Sequence, residues 1–201
     1  MFAIILAAGW PIWPLLFASI IAVALIIERA TALRQSKIAP SGLLQSVIGE
    51  FRQSAITEES LRRLDTHSPL GRVFAAGLRN VKSTREVMKE SIEEAGRGVE
   101  HELERFLTSL GTIASISPLM GLFGTVVGMI EIFGAQNAVG TNPQQLAHGI
   151  SVALYNTGFG LIIAIPSMIA YRHFRARVDG LIVEMELQAV KLVEIVHGER
   201  K

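Results

Sequence analysis

Three stretches of the chain carry no charged side chain and are otherwise almost wholly apolar: residues 10–27, 106–130 and 150–171. A helix needs about 20 apolar residues to cross about 30 Å of hydrocarbon, so the pattern predicts three membrane spans. Trp10, Pro11, Trp13 and Pro14 open the first. Indole rings suit the lipid–water interface, and proline is tolerated in a first helical turn, where its missing N–H has no partner to lose. The first charges, Glu28 and Arg29, follow the apolar stretch instead of preceding it. A cleavable signal peptide has the reverse order, so a retained first helix is expected.

Between and after these stretches the pattern becomes amphipathic. Ser83-Thr84-Arg85-Glu86 reads as a capping box, in which hydroxyl and carboxylate satisfy the free N–H groups of a helix start. Only Pro118 interrupts the pattern from there to Phe133, which predicts one helix of about 50 residues and about 75 Å. Gly96 and Gly98 each weaken it by about 1 kcal/mol, and Glu93 with Arg97 at i,i+4 returns a little. The third span also runs on, through Arg175 and Asp179 to Glu194. Leu181, Ile182, Met185, Val190, Leu192, Val193 and Val196 supply its apolar residues, and Glu184, Glu186 and Lys191 are polar. Residues 57–64 and 70–80 read as shorter amphipathic helices packed on these long ones, with Pro69-Leu-Gly71 as the turn between them. The fold class is an all-α membrane protein of three transmembrane helices, with spans two and three extended into the cytoplasm as long helices.

Composition supports that reading and narrows the chemistry. Half of the 201 residues are hydrophobic and mean hydropathy is +0.41, too apolar for an ordinary soluble domain. There is no cysteine, which removes disulfides, thiolate metal sites and a cysteine nucleophile. The net charge of +1 implies no nucleic-acid partner. The placement of charge says more than its sum. Thirteen of the 19 Lys and Arg lie in 29–105 and six in 172–201, with none elsewhere. Cationic segments stay in the cytoplasm, and Arg29, Arg34, Arg105, Arg172, Arg175 and Arg177 flank the span ends, where the rule is strongest. The expected layout is a periplasmic N-terminus with the first span (1–28), a cytoplasmic helical region (29–105), the second span (106–133), a short neutral periplasmic loop (134–148), the third span (149–171) and a cytoplasmic tail (172–201). The basic cluster from Arg172 to Arg177 is expected to meet anionic lipid headgroups. The acids from Glu90 to Glu104 read as a solvated helix face.

Small residues recur along spans two and three. Gly111, Ser115, Pro118, Gly121, Thr125 and Gly128 are spaced by three or four in the second, and Ala153, Thr157, Gly160, Ala164 and Ser167 in the third. That spacing keeps each set near one helix face, and small faces let helices approach closely in lipid. Gly121, Gly124, Gly128, Pro118, Gly160 and Pro166 are therefore helix-packing candidates. Thr125, Thr157, Ser151 and Asn156 are candidates for lining a polar path. A hydroxyl also satisfies itself within its own helix, so composition leaves packing and lining both open. The only ionisable carboxylate and imidazole between residues 106 and 171 are Glu131 and His148. Both sit near the outer ends of their spans, as outer-mouth candidates, and neither is deep enough to carry a proton at mid-membrane. No Ser/His pair or paired Asp lies at membrane depth, so neither catalysis nor a cofactor or metal is expected.

Two segments carry a family resemblance. Ser117-Pro-Leu-Met-Gly-Leu-Phe-Gly-Thr-Val-Val-Gly-Met-Ile130 resembles the second span of the MotA/TolQ/ExbB proton-channel family. Gly149-Ile-Ser-Val-Ala-Leu-Tyr-Asn-Thr-Gly-Phe-Gly-Leu-Ile-Ile-Ala-Ile-Pro166 resembles its third. Chain length and a three-span layout are similar to ExbB and TolQ members, ExbB above all, and not to four-span flagellar stators. The resemblance implies an inner-membrane pentamer around the single spans of an ExbD-like or TolR-like partner, whose intramembrane aspartate is the group protonated. It implies a TonB-like energy-transducing protein downstream, and hydroxyls at Thr125 and Thr157 that face the partner's acid. Many members carry glutamate where this chain has Val152, which moves the burden of proton transfer to the partner. A TolQ-like envelope role and a non-conducting membrane scaffold are the alternatives.

Overall fold

The computed structural model describes residues 9–53, 56–134 and 143–198, and the described residues are helical apart from turns and short connections. The helices are α1 (Ile12–Ala32), α2 (Gln35–Ile38), α3 (Leu43–Arg52), α4 (Glu58–His67), α5 (Pro69–Arg79), α6 (Arg85–Glu104), α7 (Leu107–Gly134) and α8 (Pro143–Val196). Three helical segments are long and apolar enough to cross a membrane: Ile12–Ala32, the run Arg85–Gly134 that holds α6 and α7, and Gly149–Val196. Residues 135–142, most of the expected outer loop, lie outside the described residues. The chain divides into two compact units. An apolar one holds the described residues up to Glu28 and those from Phe106 to His173; a charged one holds Arg29–Arg105 and the described residues from Phe174.

The charged unit is built as a soluble domain is built. Leu70, Val73, Phe74, Ala75 and Leu78 on α5, Met88, Val99 and Leu103 on α6, and Leu61 on α4 are buried. From α8 come Phe174, Val178, Leu181, Met185 and Leu192, spaced by three, four or seven as one helix face requires. Gly77 lies against Ile92 and Met88, where a Cβ would fall 2.7 Å from the Ile92 Cδ1. Around the rim Arg72 pairs with Glu102 at 2.7 Å and Arg175 with Glu104 at 2.8 Å, while the Gln35 amide donates to the Glu184 carboxylate at 2.8 Å.

Three local expectations need correction. The cap of α6 is Thr84, one residue later than the capping box placed it: its hydroxyl accepts from the Val87 N–H. Ser83 instead bonds through its backbone N–H to the Asn80 carbonyl in the preceding turn. Pro69-Leu-Gly71 is not a turn, because Pro69 is the first residue of α5, where its fixed φ fits a helix start. Ser68 caps that helix by accepting from the Gly71 N–H at 3.1 Å. The helix expected to run unbroken from 84 to 133 is interrupted at Arg105 and Phe106. Arg105 leaves the helical region (ψ 136°) and Phe106 takes a φ of 65°, left-handed and unusual for a residue with a side chain. A continuous helix would direct the Leu107 N–H to the Leu103 carbonyl. Here the buried Arg29 guanidinium donates to that carbonyl at 3.1 Å. The negative end of the α6 dipole favours a cation at this place.

Candidate functional site

The candidate site lies in the apolar unit, where α7 and α8 run antiparallel and nearly touch. A Cβ on Gly160 would stand 2.5 Å from the Ser117 carbonyl oxygen and 3.2 Å from the Gly121 Cα. One on Gly121 would stand 2.7 Å from the Asn156 carbonyl and 2.9 Å from the Thr157 Cα. Further along, Gly124 faces the Asn156 side chain, Gly128 faces Ala153, and Gly149 faces Ile132. At the opposite end Gly111 lies under the Tyr171 ring. This is the close approach that small residues permit when lipid removes any hydrophobic drive between helices. The turn ahead of α1 adds an edge-to-face contact between Trp10 and Phe123, with centroids 6.0 Å apart.

The seam uses most of the expected packing residues. Gly121, Gly124 and Gly160 are buried in it, and Gly128 is half-buried. Pro118, half-buried, and Pro166, exposed, sit inside their helices. A serine adjoins each: Ser117 donates to the Ile113 carbonyl and Ser167 to the Ile163 carbonyl, both at 2.7 Å. Such bonds give a polar group its partner without leaving the helix. The second-span stripe is rotated from its expected position. Leu110, Ala114, Ser117, Gly121 and Gly124 are buried, whereas Ser115 is exposed and donates to the Gly111 and Thr112 carbonyls. Two small-residue stripes overlap on α7, and sequence spacing does not say which one meets α8. In the third span Ala153, Gly160, Ala164 and Ser167 are buried as the stripe predicts, with Thr157 at its margin.

The hydroxyls differ among themselves. Thr125 is half-buried and donates to the carbonyl of Leu122 in its own helix. Thr157 is half-buried beside Gly121. Ser151 is exposed and donates to the Ala147 carbonyl at 2.9 Å. Asn156, expected among the lining residues, is 1% exposed within the seam. Its side chain rests on Gly124, so within a single chain it faces α7 and not an open surface. Glu131 is exposed near the end of α7; the side chains of His148 and Val152 lie outside the described residues. Sequence reasoning missed Thr108 and Thr112, exposed on the α7 face that also carries Ser115. Spacing by four and three would have marked them. Among the described residues no group of three His, Asp or Glu is placed to hold a metal ion.

The open faces of this unit are apolar. Leu119, Leu122, Val126, Ile130 and Phe133 on α7 and Leu154, Leu161, Ile162 and Ile165 on α8 are exposed, Leu119 at 63% and Ile162 at 67%. Such a surface is stable against lipid tails or other apolar helices, not against water.

Comparison with known proteins places these features. Residues 65–187 match the model of the MotA/TolQ/ExbB proton channel family. The biopolymer transport protein ExbB-like 3 of Synechocystis sp. is 32% identical over 174 residues, covering 85% of this chain and 83% of that protein. The Tol-Pal system protein TolQ of Pseudomonas aeruginosa is 30% identical over 195 residues, covering 91% and 84%. The biopolymer transport protein exbB1 of Vibrio cholerae is 30% identical over 186 residues, covering 89% and 80%.

Proposed function

This chain belongs to the MotA/TolQ/ExbB proton channel family, and from that premise we propose that it is the channel and motor subunit of an ExbB-ExbD-type complex in a bacterial inner membrane. In this reading the proton motive force energises a TonB-like protein and, through it, outer-membrane transport. The observation that carries the proposal is the charge-free pairing of residues 107–130 on α7 with residues 150–171 on α8, whose polar groups through mid-span are hydroxyls and one amide. A sleeve of this kind solvates a carboxylic acid without titrating itself. An ExbD-like or TolR-like single-span partner supplies the aspartate, with several copies of this chain, five by analogy, around it. The placement of the 19 cations supports a periplasmic N-terminus and a cytoplasmic C-terminus, because cationic flanks are retained inside.

The physics of the cycle follows from the cost of burying charge. A carboxylate in hydrocarbon is costly until it is protonated or given polar neighbours. One elementary charge crossing the membrane potential releases about 2.3 kcal/mol per 100 mV. Protonation from outside and release inside alternate which neighbour the acid prefers, and in a ring that alternation drives rotation. Thr125 and Thr157 are the polar neighbours this reading requires. Replacing Thr157 with valine keeps the shape and deletes the hydroxyl. Proton uptake by vesicles holding the complex with its partner should fall at least tenfold, an effect of about 1.4 kcal/mol or more. Wild-type uptake by the valine variant would sink the lining role.

The similarity to TolQ over 91% of this chain favours a second reading of the same motor, one that serves envelope maintenance. Deletion separates the two: loss of energised uptake across the outer membrane supports the first, and septation defects with intact uptake support the second.

A further inference from the structure

Asn156 stands out at the middle of the seam, between the contact of Gly149 with Ile132 at one end and that of Gly111 with Tyr171 at the other. Most of the contact between α7 and α8 runs through glycine, alanine and serine. A smooth surface of that kind holds two helices close but leaves their register weakly specified, since each glycine offers a similar notch. At mid-seam Asn156 is the branched polar side chain among them, 1% exposed. It fits only because α7 has no side chain opposite. A Cβ on Gly124 would stand 2.7 Å from both the Asn156 Cβ and Cγ and 3.1 Å from its Nδ2. The next residue is Thr157, whose Cα lies against Gly121. Gly121 in turn is one helical turn from Thr125.

We infer that Asn156 is a positioning residue: seated on Gly124, it fixes the register of α8 against α7 and thereby the depth and direction of the Thr157 hydroxyl relative to Thr125. The knob and its notch act as one unit. Sliding α8 by a turn, about 5.4 Å, would take the amide off Gly124 and carry Thr157 by the same distance. A hydroxyl displaced that far no longer meets an acid that Thr125 meets. The assignment deepens the proton-channel reading, because the role of Thr157 comes from it. The register itself does not depend on that reading and is measured separately.

The chain has no cysteine, so engineered pairs report register without background. A Cβ on Gly128 would lie 3.2 Å from the Ala153 Cβ, close to the ~3.8 Å typical of a disulfide. The in-register reporter is therefore Gly128→Cys with Ala153→Cys. Ile132→Cys and Thr125→Cys, each paired with Ala153→Cys, lie about a turn to either side. Oxidation of full-length protein in membranes gives the ratio of in-register to flanking cross-links. Loss of stability alone lowers all yields together and leaves that ratio unchanged.

Asn156→Gly should lower the ratio at least fivefold, and proton uptake with the partner present at least fivefold. Gly124→Ala should do the same from the other side by filling the notch. Combining Gly124→Ala with Asn156→Gly moves the knob to the opposite helix and should restore the ratio and most of the uptake. A ratio unchanged in Asn156→Gly would overturn the assignment. So would lost uptake at an unchanged ratio, because the amide would then act on the proton path directly. Should the wild-type complex conduct no protons while the ratio shifts and recovers as described, the channel reading fails and the register assignment stands.

Discussion

The two units of this chain follow opposite packing rules, and α8 obeys both within one uninterrupted helix. Over Phe174–Leu192 it buries phenylalanine, valine, leucine and methionine, and its charges stay outside. Over Ala153–Ser167 it buries mostly small residues, alanine, glycine and serine, with Asn156 and Ile163 among them, while Leu154, Leu161, Ile162 and Ile165 face outward. The helix has one backbone geometry throughout; only the surrounding solvent differs. Water drives large apolar groups inward. Lipid gives them no such drive, so close approach of backbones decides the contact. Which rule a segment follows tells which solvent it was selected for.

The comparison makes substitutions asymmetric, since the charged unit should suffer from shrinking and the apolar unit from enlarging. The largest expected effect is Phe74→Ala. Phe74 is 0% exposed at the centre of the charged unit, and phenylalanine-to-alanine changes in such cores cost about 3–5 kcal/mol. Denaturant unfolding of the full-length protein in detergent, followed by circular dichroism, should show this loss in the transition that reports α3 to α6. A loss below about 1 kcal/mol would mean that this unit is not packed by its hydrophobic core.

The reverse substitution sharpens the contrast. Gly160→Ala adds one methyl group where the Ser117 carbonyl already stands 2.5 Å away. Overpacking of this kind costs about 1–3 kcal/mol, although alanine favours the helix over glycine by about 1 kcal/mol. Cross-link yield between α7 and α8 should fall, with the charged unit unaffected. An unchanged yield would break the comparison, for it would show that backbone approach is not what joins these helices. As a control, Leu119→Ala removes a side chain that is 63% exposed and should leave the isolated chain's stability unchanged within about 0.5 kcal/mol.

Much of this was legible in advance, for particular reasons. The spans were readable because a run without charge has few other meanings at such length, and residues 12–32, 107–134 and 143–196 came out helical. The family was readable from two glycine-rich segments. Other features were hidden because they depend on contacts between distant residues. At the break before Phe106 the Leu103 carbonyl is taken by Arg29, and no local signal near residue 106 announces an arginine 77 positions earlier. The seam side of α7 was hidden because Ser115, Pro118, Gly121 and Thr125 are spaced as regularly as Ala114, Ser117, Gly121 and Gly124. Only the partner helix distinguishes them. The seat of Asn156 was hidden for a related reason. A polar residue at mid-span suggests a polar path, and its seat on Gly124 appears only when both helices are in place. The helix α3 (Leu43–Arg52) was missed outright; its start at Gly42, with a φ of 89°, is a glycine signal that was available.

The smallest expected effect concerns charge, and it belongs to the charged unit alone. The Glu86 carboxyl is held below its ordinary pKa, first by a hydrogen bond from its own backbone N–H and then by the Thr84 hydroxyl. Both favour the ionised form at a helix start whose dipole also prefers an anion. A group whose pKa is lower folded than unfolded adds stability that is complete above the unfolded value. That stability is lost as pH falls through the folded value. Glu86→Gln should therefore match the wild type in strong acid and fall slightly behind it at neutral pH. The difference should open as pH rises through the carboxylate range. Hydrogen exchange of the first turn of α6, measured across that range, reads the effect locally. An equal protection factor in both proteins at neutral pH would remove Glu86 from the cap and leave Thr84 to hold the helix start unaided.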